Sequence, residues 1–276
     1  PRPARQSADR TVNDGDLKKT YMQSFRFIMR HLLTVVGLVI GASLCQSAWA
    51  EVRLPNVFGS HMVVQQQKPL VLWGWAQPKE TVTVQIANES RTAQANERGE
   101  WKTELPAMKA GGPYALTVSG SSVVKFEDVM VGEVWLCSGQ SNMEMGIGAV
   151  RDGPKEIAAA NYPAIRLLMI TNRWTHEPRT DVEGTWQVCS PKTVAAGGWG
   201  GFSAAAYFFG RELHQKLNVA VGLIDASWGG TKIEPWTPPE GFAAVPALKQ
   251  EYERLRLAFH SEDDAHARRQ LRARPQ

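Results

Sequence analysis

Residues 203–217, with the run that follows them, set the strongest limit on how this chain can fold. Ser203-Ala-Ala-Ala-Tyr-Phe-Phe-Gly-Arg-Glu-Leu-His-Gln-Lys-Leu217 is amphipathic, rich in Ala, Leu and Glu, and basic near its end, where positive charge suits the helix dipole. Next comes Val219-Ala-Val-Gly-Leu-Ile-Asp-Ala226, an apolar run of strand length, and another apolar run, 165–170, precedes the helix. Strand, helix, strand in that order implies a crossover, and therefore a parallel sheet covered by helices.

Two turns leave the predicted sheet strands. The run 131–136 reads as a buried strand and breaks into Cys137-Ser138-Gly139-Gln140-Ser141-Asn142. The run 219–226 empties into Ser227-Trp228-Gly229-Gly230-Thr231. Open parallel sheets bind ligands at the carboxyl ends of their strands, so both turns face the place where chemistry is done. The first offers a serine hydroxyl on a rigid support, and the second offers backbone N–H groups that could hold an oxyanion. Each turn also has a purely structural reading. Ser and Asn are preferred helix N-caps, and a glycine pair can be an ordinary turn. The residues alone leave both readings open.

The stretch 51–128 is patterned differently. Strands are predicted over 62–66, 70–76, 81–87, 91–95, 101–104 and 114–119, separated by Gln67-Lys68-Pro69, Gln77-Pro78-Lys79-Glu80, Glu97-Arg98-Gly99 and a Gly-Gly-Pro turn ending at Pro113. Short strands at this spacing predict an antiparallel β-sandwich. Alternation places Trp73 and Trp75 on one face, read here as facing the core. If they face solvent instead, they offer a stacking platform for sugars. That is the alternative function for the chain: a non-catalytic carbohydrate-binding or adhesive β-sandwich protein.

The formal charge of +4 gives no case for nucleic-acid binding. Residues 1–50 carry seven Lys or Arg against three Asp, which accounts for all of it. Residues 29–50 resemble a secretory leader, with Arg30 at the start, an apolar stretch from Leu32 to Leu44, and Ala48-Trp49-Ala50 as a small-x-small cleavage site. The apolar stretch is too short for a stable membrane anchor. The expected organisation is an upstream extension over 1–28, a leader over 29–50, a β-sandwich domain over 51–128 and an α/β domain over 129–276. The expected location is secreted or periplasmic. There Cys137 and Cys189 could form a disulfide or remain small buried residues.

Gly139-Gln140-Ser141-Asn142-Met143, after Glu133-Val-Trp-Leu-Cys-Ser138, closely resembles the nucleophile block of the sialate O-acetylesterase family. These are secreted carbohydrate esterases of the SGNH (GDSL-like) hydrolase superfamily. Leu54-Pro-Asn-Val-Phe-Gly-Ser-His-Met-Val-Val-Gln65, Phe202–Leu213 and Val221–Trp236 resemble further blocks of the family in the same order. The resemblance implies an SGNH-like parallel sheet, incomplete in this chain, after the β-sandwich. It also implies Ser141 as nucleophile, the N–H groups of Ser141 and Gly230 as the oxyanion hole, and an O-acetylated sugar or glycan as substrate. No metal or other cofactor is expected.

The family's Gln-Gly-Glu-x-Asn-like block and terminal Asp-x-x-His block have no counterpart before Gln276. His31, His61, His176, His214, His260 and His266 all sit in contexts unsuited to a general base beside Ser141. The expectation is an N-terminal portion of a truncated chain, with little or no esterase activity by itself.

Overall fold

The computed structural model of the protein describes residues 51–254, apart from 174, 176 and 177. The predicted leader and upstream extension, together with His31, His176, His260 and His266, lie outside the described residues.

The organising element is β7 (Val123–Gly139), a 17-residue strand. Its first half pairs antiparallel with β6 (Gly111–Ser119), which pairs with β3 (Thr81–Ile86), which pairs with β4 (Glu89–Gln94). From residue 130 onward β7 gains parallel partners, while β6 still meets it antiparallel at Val131. β1 (Val63–Gln65) lies along Met130 to Gly132, and β10 (Ala220–Ser227) lies along Gly132 to Gly139. β8 (Tyr162–Met169) continues the parallel set beyond β10, and β9 (Gln187–Cys189) closes that side antiparallel. One mixed eight-stranded sheet results, in the order β4-β3-β6-β7-β10-β8-β9 with β1 beside β7. The sequence-based division at 128/129 falls inside β7.

β2 (Leu70–Trp75) and β5 (Glu100–Leu105) form a separate antiparallel pair. They share a core with the antiparallel half of the large sheet, in which Leu72, Leu105, Val82, Val84, Ile86, Leu116 and Val118 are completely buried. Each such aliphatic side chain contributes about 1.5–3 kcal/mol by leaving water. The tryptophans depart from expectation. Leu70, Leu72 and Gly74 hold the inward positions of β2, so the period of two turns Trp73 and Trp75 outward. Trp73 is 39% exposed and packs edge-on against Phe58, while Arg53 covers the ring of Trp75 at 3.9 Å. Trp101, from β5, fills the core over Gly74 instead.

Three short helices, α1 (Ser141–Glu144), α2 (Gly153–Ala159) and α3 (Pro191–Val194), precede α4 (Ala204–Leu217), which covers the second core and connects β8 and β9 to β10 as the strand–helix–strand pattern requires. Ser203 caps this helix by accepting from the Ala206 N–H, and Asn218 ends it in the left-handed conformation. β10 is buried along most of its length, as a parallel strand covered on both faces should be. The 131–136 run is less buried than predicted. Beyond Gly132, β7 pairs with β10 on one side, and no other strand among the described residues flanks it. Trp135 and Leu136 are therefore exposed, at 42% and 68%.

At the opposite end of the parallel strands, Arg166 of β8 reaches the residue before the parallel half of β7. Its guanidinium forks onto Asp128 at 2.6 and 3.1 Å, and His61 Nδ1 joins the same carboxylate at 2.7 Å. Hydrogen bonding from Arg166 is the main reason the Asp128 carboxyl sits below its ordinary value.

Candidate active site

The two turns singled out in the sequence meet at the carboxyl ends of β7 and β10. Parallel pairing runs to Gly139 opposite Ser227, and the contact continues past the strands. The Trp228 N–H donates to Gly139 O at 2.9 Å, and Ser138 Oγ donates to Ala226 O at 3.0 Å. Register in the sheet thus fixes the serine turn against the glycine turn.

Ser141 is the first residue of α1 (Ser141–Glu144), a single turn with Gln140 at its N-cap. Its hydroxyl is half-exposed, and its partner is Gln140 Oε1 at 3.4 Å, a weak bond at that length. The turn is tied down from the other side. Ser203 Oγ donates to Met143 O at 2.6 Å, so the residue that caps α4 also holds α1.

Gly229 and Gly230 have different roles. A Cβ on Gly229 would stand in ordinary contact, 3.5 Å, with Cα and Cβ of Ser141 and only 2.5 Å from Glu144 Oε2, so the turns approach closely and a side chain there would displace the Glu144 carboxylate. The Gly229 N–H is already occupied, donating to Glu144 Oε2 at 2.8 Å. Gly230 has φ +76 and faces open space. Ser141 is thus in contact with Gly229, the neighbour of Gly230, and the N–H groups of the two residues expected from the sequence, Ser141 and Gly230, have no protein acceptor among the described residues.

Sequence reading missed the residues around this pair. Glu144, three positions after Ser141 in the same motif, accepts from Gly229 through one oxygen and from Asn172 Nδ2 through the other at 3.3 Å. Asn172 follows β8, so one carboxylate connects the loops leaving β7, β8 and β10. A cleft of about 260 Å³ opens beside it, lined by Glu144, Thr171, Asn172, Asp225 and Ser227 among others. Asp225 is 4% exposed, and burial pushes its carboxyl above its ordinary value. Bonds from Ser227 Oγ (2.6 Å) and from the backbone of Ser203 and Ser227 pull the other way.

Neither described histidine serves Ser141. His61 is held by Asp128, and His214 Nδ1 is bonded to Val219 O at 2.8 Å, just before β10. Both lie at the amino ends of the parallel strands, whereas Ser141 lies past their carboxyl ends. Cys137 and Cys189 are free, buried thiols, each pushed up to about 11, chiefly by burial. Among the described residues no group of His, Cys, Asp and Glu is arranged to hold a metal ion, and no helix is long and apolar enough to cross a membrane.

Comparison with known proteins points in one direction. The family model "carbohydrate esterase, sialic acid-specific acetylesterase" matches residues 131–264. The sialate O-acetylesterase of Mus musculus is 31% identical over 234 residues, covering 78% of this chain and 43% of that protein. The Homo sapiens sialate O-acetylesterase is 30% identical over 236 residues, covering 78% and 45%. The crystal structure of a carbohydrate acetylesterase from Xanthomonas citri superposes with a TM-score of 0.66 at 35% identity, covering 69% of this chain and 43% of that one. The chain spans less than half the length of the relatives it matches.

Proposed function

The chain belongs to the sialic acid-specific acetylesterase family of carbohydrate esterases, and on that premise we propose that it supplies the nucleophile half of a serine O-acetylesterase acting on acetylated sugars. Ser141 Oγ attacks the carbonyl carbon of a sugar acetate, and its proton passes to a general base. The carbonyl oxygen becomes an oxyanion held by the N–H groups of Ser141 and Gly230. Collapse expels the sugar oxygen, which takes the proton and leaves as a hydroxyl. Water then attacks the acetyl-serine, and acetate leaves while the Ser141 proton is restored. The sheet around β7 and β10 is read as SGNH-like, preceded by the β-sandwich as a domain of its own.

One observation carries this reading. The serine turn and the glycine turn, far apart in sequence, meet at Ser141 and Gly229, and the N–H groups of Ser141 and of the adjoining Gly230 have no protein acceptor among the described residues. The base is not among the described histidines. Without a base, serine esterases lose several orders of magnitude in rate, so the reaction proposed here needs a base from outside the described residues. Secretion follows from the leader over 29–50, and N-terminal sequencing of the mature protein should begin at Glu51.

The test is acetate release from acetylated glycans by the full-length enzyme. Ser141→Ala should abolish it. Wild-type rates from that variant would remove Ser141 from the chemistry.

A further inference from the structure

We infer that Glu144 is a positioning residue that sets the oxyanion hole, through a contact that neither the family match nor the sequence motif assigns to it. The inference rests on the reading of Ser141 and Gly230 given above. Glu144 ends the one-turn helix that Ser141 begins, so its backbone moves with the serine. Its carboxylate leaves that turn and takes the Gly229 N–H at 2.8 Å with one oxygen. The other oxygen takes the Asn172 amide at 3.3 Å. The serine turn, the glycine turn and the loop after β8 are therefore joined at a single side chain.

The consequence follows from what Gly229 can and cannot do. Adjacent backbone N–H groups in a glycine pair could each turn toward the reacting oxygen. The carboxylate occupies the Gly229 donor, and a charged acceptor makes that bond stronger than a neutral one would. With Gly229 fixed, the peptide that follows it is fixed too, leaving the Gly230 N–H free at φ +76. Glu144 therefore decides which of two neighbouring donors faces the oxyanion. It holds that donor at a constant distance from Ser141 without touching substrate. Displacing a donor by about 1 Å costs roughly 10²-fold in rate, and losing one outright costs about 10²–10³-fold.

Gly229 offers a second way to cut the same link. An alanine there puts its Cβ 2.5 Å from Glu144 Oε2, and the carboxylate, as the end of a flexible side chain, must swing aside.

The experiment is steady-state kinetics of the full-length enzyme on p-nitrophenyl acetate, with a thermal melt for each variant. Glu144→Ala should lower kcat about 10²-fold with KM changed less than about threefold. Glu144→Gln keeps an acceptor oxygen for Gly229 and should recover most of that loss. Gly229→Ala should lower kcat in the same way. The double variant, Glu144→Ala with Gly229→Ala, should be no slower than the worse single variant, because both cut one link. If Glu144→Ala fails to fold, Gly229→Ala and Glu144→Gln carry the test.

Three results would overturn the proposal: Glu144→Ala or Gly229→Ala within threefold of wild type, Gln no better than Ala, or losses that multiply in the double variant. A Ser141→Ala enzyme that keeps its activity would instead sink the underlying nucleophile assignment, and this proposal with it.

Discussion

Replacing Arg166 with alanine tests the anchor that sets the start of the parallel half of β7. The Arg166 side chain is 6% exposed and makes two bonds to the Asp128 carboxylate, at 2.6 and 3.1 Å. It also bonds Pro163 O at 2.9 Å and lies 3.4 Å from the carbonyl oxygens of His61 and Asp128. Removing one partner of a buried ion pair costs about 3–5 kcal/mol, chiefly by stranding the other charge. Asp128 is 30% exposed and keeps His61, so the lower end, about 3 kcal/mol, is expected. In a unit of this size that lowers Tm by roughly 6–12 °C.

The pH dependence has a definite sign. The folded Asp128 carboxyl lies below its ordinary value of 3.8, so the stability it contributes is fully present above that value. It is lost as pH falls through the lower, folded value. Urea unfolding of wild type and Arg166→Ala should therefore show a gap of about 3 kcal/mol at pH 7 that narrows once the pH drops below 3.8. Equal midpoints at pH 7 would refute the anchor, and a gap that widens in acid would refute the electrostatic account of it.

Two further predictions concern buried titratable groups. Cys137 and Cys189, with thiols pushed up to about 11, should resist iodoacetamide at pH 8 in the native protein and react in denaturant; fast native labelling counted by mass spectrometry would contradict this. Asp225 is raised by burial, so it withdraws stability as pH rises from the ordinary carboxylate range through its higher folded value. Asp225→Asn should remove that decline from the urea midpoint measured across pH 4–7, and an unchanged slope would contradict it.

Much of this fold was legible because periodicity and burial agree. The 3.6-residue stripe of 203–217 and the run 219–226 became α4 and β10 within a residue or two. The alternating strands of 62–119 all formed. The failures have a common cause: which face of a strand is buried depends on what packs there. Trp73 and Trp75 share a face, as alternation requires, but Leu70 and Leu72 own the core side. The run 131–136 reads as buried, yet Leu136 is exposed because β7 has a partner on one side only.

The site divides similarly. The two turns could be read from the ends of their strands, and Ser141 and Gly230 were expected from the family resemblance, whereas Glu144 came from neither. Its contacts are to Gly229 and Asn172, 85 and 28 residues away, and nothing local marks them.

The most direct test of the central claim is covalent labelling of the full-length enzyme with a fluorophosphonate, followed by peptide mapping. The account predicts one adduct, on Ser141, formed as esterase activity is lost. An active enzyme that loses activity with its adduct on any other residue would contradict it.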